Sequence, residues 1–219
     1  MSGSEGSRYR KWISYQALLL GVFSTMATAL LVAGNLATRD AIAERQKEDL
    51  LSSLGQVIPG ELYDNDLLVS PQQLPGPGGK SLTVYRGTME DKVSAIAYEI
   101  SGEGSAGEIR LIIGLDAGGR ILGVRVLSHA ETPGLGDKIE VAKDDWILGF
   151  NGLSLGNPPA EQWQVSKDGG RFDAFSGATI TPRAVVQAIA GGLRFFNGHR
   201  TELLESPAAI TVSHRSNES

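Results

Sequence analysis

The sequence predicts an α+β protein, with a single N-terminal transmembrane helix followed by one extracytoplasmic domain of antiparallel sheet and flanking helices. Three observations predict it. Trp12 to Thr38 carry no charged side chain. Four short β-like runs follow between Leu82 and Leu127, separated by turn residues. An amphipathic helical run then begins near Pro182.

The uncharged run is rich in Leu18, Leu19, Leu20, Val22, Phe23, Leu30, Leu31, Val32 and Leu36. Roughly 20 apolar residues span a bilayer as helix, so it is long enough to cross even with tilt. It is apolar around its whole circumference, which argues against the core helix of a soluble protein. Arg8, Arg10 and Lys11 precede it, whereas Arg39 follows beside Asp40 and Glu44. That asymmetry predicts an N-terminus in the cytoplasm and the main domain outside it. Ala27-Thr28-Ala29 resembles a signal-peptide cleavage site, but Leu30 to Ala33 continue the apolar run past it, which favours a retained anchor.

Beyond the membrane, Leu36 to Leu54 continue the helical habit, with residues 44–49 as a solvated face and Gly55 and Pro59 as the stop. Residues 70–80, rich in Pro and Gly, read as a loop. Strands are expected at Leu82–Tyr85, Val93–Ile100, Ile109–Leu115 and Ile121–Leu127, forming an antiparallel meander. The separators include Gly102-Glu103-Gly104 and Asp116-Ala117-Gly118-Gly119. Ser94, Tyr98 and Arg110 alternate with apolar neighbours and suggest one wet face. Lys138–Phe150 reads as helix, and Trp163–Val165 and Arg171–Phe175 as short strands. In the last helix Thr181 is the expected N-cap, with Pro182 at the first helical position. Val185, Ile189, Leu193 and Phe196 form its apolar face, and Asn197-Gly198 its stop. The expected organisation is a cytoplasmic N-terminus over 1–11, the transmembrane helix over 12–38, a helical connector and loop over 39–80, the folded domain over 81–205, and a mobile polar tail over 206–219.

Composition excludes several functions. The net charge of −5, with no basic stripe, argues against a nucleic-acid partner. The chain has no cysteine, which excludes disulfides, thiolate-ligated iron–sulfur clusters and thioether-linked haem. His129, His199 and His214 are widely spaced, so metal chemistry has no support. No nucleophile–base arrangement is visible, so no catalytic residue is assigned. No G-x-G-x-x-G follows a strand, which disfavours an independent oxidoreductase of soluble substrates.

The residues with the clearest chemistry are Asp173-Ala174-Phe175-Ser176-Gly177-Ala178-Thr179. They fit D-x-x-[ST]-G-A-[ST], the acceptor pattern for covalent attachment of FMN by a phosphoester to the last hydroxyl, here Thr179. Thr179 falls just before a helix N-terminus, where unpaired N–H groups and the helix dipole favour an anion. Gly177 allows the backbone close to the phosphate. Ser176 and Ala178 shape the turn, and Asp173 either orients the acceptor hydroxyl or serves the attaching enzyme. Arg183, in the first helical turn, either pairs with the phosphate or is a solvated arginine.

A second segment, His129 to Asp137, lies between a strand and a helix. Pro133, Gly134 and Gly136 set an unusual backbone path. It is either a glycine-rich connection or a wall of the flavin pocket. In the second reading backbone N–H groups face the isoalloxazine carbonyls or ribityl hydroxyls, Gly134 lets the main chain approach, and Leu135 touches the ring. Glu131 and Thr132 then hydrogen-bond the ribityl chain.

The N-terminal membrane helix, the segment HAETPGLGDKI and then DAFSGATITPRAVVQAI resemble the G subunits of the Rnf (Rsx) ion-translocating electron-transport complexes. The resemblance covers nearly the whole chain, with the elements in the same order. The chain looks less like the C subunit of the sodium-translocating NADH:quinone reductase, a relative with the same FMN-binding domain. The resemblance implies FMN bound covalently at Thr179 and attached by a separate flavin transferase that takes it from FAD. It implies a periplasmic domain on the bacterial inner membrane, in contact with lipid. It further implies partner subunits carrying flavin and iron–sulfur centres, in a complex that couples electron transfer between NADH and ferredoxin-like carriers to ion movement. The chain would then relay electrons as a subunit of a translocase without being catalytic alone. The alternative is a membrane-anchored periplasmic binding or scaffold domain without a redox role.

Overall fold

The computed structural model describes residues 5–69, 71–76 and 81–205. The chain divides into two compact units, Met1–Asp49 and Leu50–Ser219. Helix α1 runs over Glu5–Val57. In the first unit its stretch Tyr15–Arg39 is long and apolar enough to cross a membrane. Leu18, Leu20 and Leu31 are exposed, as expected of a helix that packs on lipid. The hydroxyls of Thr25, Thr28 and Thr38 donate to the carbonyls of Gly21, Ser24 and Gly34 at 2.8, 2.8 and 2.9 Å. No polar side chain among these three is therefore left unpaired in an apolar medium.

In the second unit β1 (Gln72–Pro75), β2 (Ser81–Met89), β3 (Lys92–Glu103), β4 (Glu108–Asp116) and β5 (Ile121–Ser128) form one sheet in the order β1-β2-β3-β4-β5. All neighbours are antiparallel. The hairpin between β2 and β3 turns at Glu90 and Asp91, with φ of 50° and 62°, the left-handed conformation that a two-residue turn requires. The meander is thus as expected, with one strand added. Within the expected loop of residues 70–80, Gln72–Pro75 pairs with β2 at the edge, where Pro75 needs no ladder donor. The rest of that expectation partly falls outside the described residues, as do those for residues 1–4 and 206–219.

The expectation of one wet face is corrected. Val84, Ile96, Tyr98, Leu111, Ile113 and Leu115 point to one side and pack against helix α2 (Ile180–Gly198). Tyr85, Ala95, Ala97 and Ile112 point to the other and are covered by Leu54, Val57, Ile58 and Leu67 from the end of α1 and the segment after it. Each fully buried aliphatic side chain contributes about 1.5–3 kcal/mol. Tyr98 is fully buried, and its phenol donates to the Gly192 carbonyl at 2.8 Å. The Ser94 hydroxyl faces the carbonyls of Leu62 and Gly87. Arg110 does lie outside, paired with Glu99 at 2.6 Å. The second layer can sit this close because Gly114 and Gly123 face each other in β4 and β5. A Cβ on Gly114 would lie 2.1 Å from the Val57 carbonyl oxygen.

Between β5 and α2 the chain forms irregular turns. Lys138–Phe150 is not one helix. It holds two short 3-10 turns, Asp137–Ile139 and Asp145–Phe150. The Asp144 carboxylate accepts from the Trp146 N–H at 2.9 Å and starts the second turn afresh, which interrupts a continuous helix. The two expected strands reduce to a single parallel bridge between Val165 and Phe172. Helix α2 begins at Ile180, two residues before Pro182, so Thr179 holds the cap position and Thr181 lies inside the helix. It ends as expected at Gly198, and α3 (Arg200–Leu204) follows. The buried Arg86 of β2 donates to the carbonyls of Leu203 and Glu202 and holds α3 to the sheet.

Candidate functional site

The turn at Asp173 to Thr179 is anchored by aromatic packing. Phe175 is buried against Trp146 at 5.1 Å, and Trp146 packs on Phe150 at 5.1 Å. The Trp146 indole N–H donates to the Asp173 carbonyl at 3.0 Å. Gly177 has φ +82°, the left-handed conformation that excludes most side chains, and the Ala178 N–H closes the turn on the Phe175 carbonyl at 3.3 Å. Ser176 and Gly177 stand exposed at its tip. The path delivers Thr179, half-buried, to the start of α2.

Thr179 makes no capping bond with its own side chain. Its Oγ1 instead accepts from the Lys167 ammonium at 3.1 Å. The first N–H groups of a helix have no partner within it, and Pro182 has none to offer. The hydroxyl therefore stands where a helix dipole and an ammonium both favour negative charge.

The loop from His129 to Asp137 closes on itself. The Thr132 carbonyl accepts from the N–H groups of Leu135 and Gly136, each at 3.1 Å. Gly134, at φ +78°, donates to the Asp137 carboxylate at 2.7 Å. This winding pushes Leu135 outward, 44% exposed. Its Cδ2 lies 3.6 Å from where a Cβ on Gly177 would be. The two loops singled out in the sequence thus meet at Leu135 and Gly177.

Glu131 sits beneath that junction, 5% exposed. One carboxylate oxygen accepts from the Ala106 N–H at 3.0 Å and the other from the Thr181 hydroxyl. Its own N–H donates to Nδ1 of His129, whose Nε2 meets Glu140 at 2.8 Å. A Cβ on Gly104 or Gly136 would run into Glu131, at 2.3 and 2.7 Å, so glycine makes room for this carboxylate. Thr132 is exposed. Arg183 is held by Asp168, at 2.6 and 2.9 Å through two nitrogens. Hydrogen bonds from Arg183 hold the Asp168 carboxyl below its usual range and raise the guanidinium in turn.

Lys167, Asp168 and Trp146 are site neighbours that sequence reasoning passes over. Lys167-Asp168-Gly169-Gly170 carries a turn signature, but nothing in it says which residue the turn will face. Trp146 sits inside a stretch whose pattern reads as an ordinary helix.

The features at this junction are ones a phosphate and a flavin ring would fit: Lys167 brings one positive charge to Thr179 Oγ1, and the exposed Leu135 offers an apolar contact. Among the described residues no group of three or more His, Cys, Asp or Glu could hold a metal ion. A groove of about 700 Å³ between β3 and α2, lined by Leu82, Ile100, Gly102, Ala188 and Phe195, does not include Thr179 or the 129–137 loop.

Residues 104–194 match the model of the FMN-binding domain, and residues 1–57 match that of the RnfG N-terminal region. The G subunit of the ion-translocating oxidoreductase complex of Cereibacter sphaeroides is 50% identical over 198 residues, covering 89% of this chain and 90% of that one. Its counterpart in Stutzerimonas stutzeri is 47% identical over 187 residues, covering 85% and 82%. Among solved structures, NqrC of Shewanella oneidensis is similar at 22% identity with a TM-score of 0.45, covering 69% of this chain and 73% of that one.

Proposed function

Because the chain belongs to the family of G subunits of ion-translocating oxidoreductase complexes, with an FMN-binding domain, we propose that it relays electrons within such a complex through FMN joined by a phosphoester to Thr179. The observation that carries this reading is the Thr179 hydroxyl itself, half-buried at the start of α2 and 3.1 Å from Lys167. The reading makes the chain one member of a translocase that couples electron transfer between NADH and ferredoxin-like carriers to ion movement. Other subunits, with their own flavin and iron–sulfur centres, donate and accept.

FMN supplies the redox chemistry, taking up and releasing electrons one or two at a time. The chain's residues hold and orient it. The first turn of α2 faces the phosphate. Ser176, Gly177 and Ala178 form the turn that brings Thr179 there, and Asp173 marks its entrance for the flavin transferase. Gly134 and Leu135 form the wall at the ring, and Thr132 is free to reach the ribityl hydroxyls. Glu131 serves from behind, since both its oxygens are already committed to Ala106 and Thr181. Arg183 acts through Asp168 to fix the neighbouring turn. A covalent link removes dissociation, which suits a carrier on the periplasmic side, where a lost cofactor would not be regained.

The placement proposed with it is a cytoplasmic N-terminus over residues 1–11, a membrane helix over 12–38, a connector over 39–80, a periplasmic FMN-binding domain over 81–205 and a tail over 206–219. Arg8, Arg10 and Lys11 support that orientation. The test is mass spectrometry of the protein from its native membrane, with peptide mapping across Asp173 to Arg183. The expected result is an added FMN less one water, lost in Thr179→Ala and kept in Thr179→Ser. An unmodified Thr179 in cells with an active flavin transferase would sink the reading and favour the scaffold alternative.

A further inference from the structure

The cation that meets the reactive oxygen comes from a separate turn, not from α2. Ser166–Asp168 form a short 3-10 turn closed by the Asp168 N–H on the Val165 carbonyl at 2.8 Å and the Gly169 N–H on the Ser166 carbonyl at 3.1 Å. The Ser166 N–H is tied to the Phe172 carbonyl at 2.6 Å, and Gly170 is wedged where a Cβ would lie 2.0 Å from the Gln164 carbonyl oxygen. Asp168 then clamps the turn to Arg183 on α2. The turn that carries Lys167 is thus held within itself by these bonds and tied to α2 through the Asp168–Arg183 pair. Arg183, the arginine nearest in sequence to Thr179, is neutralised by that clamp. Lys167 is left with its ammonium on Thr179 Oγ1.

We propose that Lys167 is the positioning residue for flavin attachment, its ammonium holding the phosphate over the Thr179 hydroxyl during transfer and pairing with the phosphodiester afterwards. This rests on the reading that Thr179 carries FMN. In the transfer a bond forms between Thr179 Oγ1 and the phosphorus of the FMN half of FAD. The bond from that phosphorus to the bridging anhydride oxygen breaks, AMP leaves with the electron pair, and the hydroxyl proton passes to a base of the transferase or to water. The phosphoryl oxygens stay negatively charged throughout, new charge builds on the departing bridging oxygen, and an ammonium that already meets Thr179 Oγ1 is placed to pair with the phosphoryl oxygens. Lysine suits this task as a compact point charge, and arginine at the same place keeps the charge.

The test follows mass gain at Thr179 in the full-length chain, in detergent, with flavin transferase and FAD. Lys167→Ala is expected to slow attachment by about tenfold or more, Lys167→Arg to restore most of the rate, and the difference to shrink as salt screens the charge. The unfolding midpoint should stay unchanged, because the lysine is exposed. A second readout needs no turnover: Lys167 should react more slowly with an amine-modifying reagent in the flavinylated chain than in the unmodified one. Attachment to Lys167→Ala at the wild-type rate, with equal amine reactivity in both forms, would overturn the proposal and leave the covalent reading intact. A wild-type chain that stays unmodified beside a control substrate that is loaded would overturn both.

Discussion

The hydroxyl of Thr181 donates to the carboxylate of Glu131, and the two side chains are 0% and 5% exposed. One bond therefore joins the loop after β5 to the first turn of α2, and the other oxygen of Glu131 adds Ala106 from the β3–β4 turn. Glu131→Ala would strand a buried hydroxyl and a backbone N–H. The expected cost is about 2–4 kcal/mol, read from urea unfolding of the chain in detergent. Glu131→Gln keeps one acceptor and should cost less.

Gly114 marks where the end of α1 rests on the sheet. Gly114→Ala would drive a methyl group into the Val57 carbonyl, backbone that cannot step aside cheaply. We expect a loss of about 2–4 kcal/mol by the same measurement. Gly55→Ala is the control. Nothing lies within 4 Å of its Cβ and it is helical, so the change should stabilise by about 0.5–1 kcal/mol.

Burial pushes the Tyr98 phenol far above its ordinary value of 10.0, and burial followed by Glu99 raises that of Tyr85. The folded state then holds these protons more tightly than the unfolded chain does. Their contribution is complete below about pH 10 and is lost as pH rises beyond it. Unfolding free energy should fall above that pH, with a shallower fall in Tyr98→Phe. That variant also gives up the bond to Gly192 and should be less stable at neutral pH by about 1 kcal/mol.

The Asp168 carboxyl has the opposite sign. Arg183 lowers its value from 3.8, so the pair supports the 166–170 turn above that range and is lost as pH falls below it. Hydrogen exchange at Ser166 to Gly170, corrected for the intrinsic rate, should quicken on acidification. Asp168→Asn should show the fast exchange at every pH.

The four long strands were legible as short apolar runs bounded by turn residues. Helix α2 was legible because Val185, Ile189, Leu193 and Phe196 repeat on one face. The cover of the second sheet face was not. Its residues, Leu54 to Leu67, lie at a helix end and in an irregular segment with no period of their own. The turns between Asp137 and Phe172 follow side-chain caps and aromatic packing, as at Asp144 and Phe150, which no repeat announces. Thr179 is a candidate acceptor on the strength of its neighbours in sequence. Lys167 could not be read that way, because its contact crosses a turn whose direction Asp168 and Arg183 set through space.

Every strand of the sheet pairs with the next in sequence, so β1 to β5 can zip together through short hairpins. The docking of α2 is a different event. It joins Tyr98 to Gly192 across 94 positions and Glu131 to Thr181 across 50, and longer loops close at greater entropic cost. The sheet is thus expected to be a finished platform before the helix lands. Thr181, in the first turn of that helix, reaches Glu131 only at that landing, and Thr179 stands two residues before it. Cofactor loading that depends on this arrangement would mark chains that have completed the last step of folding.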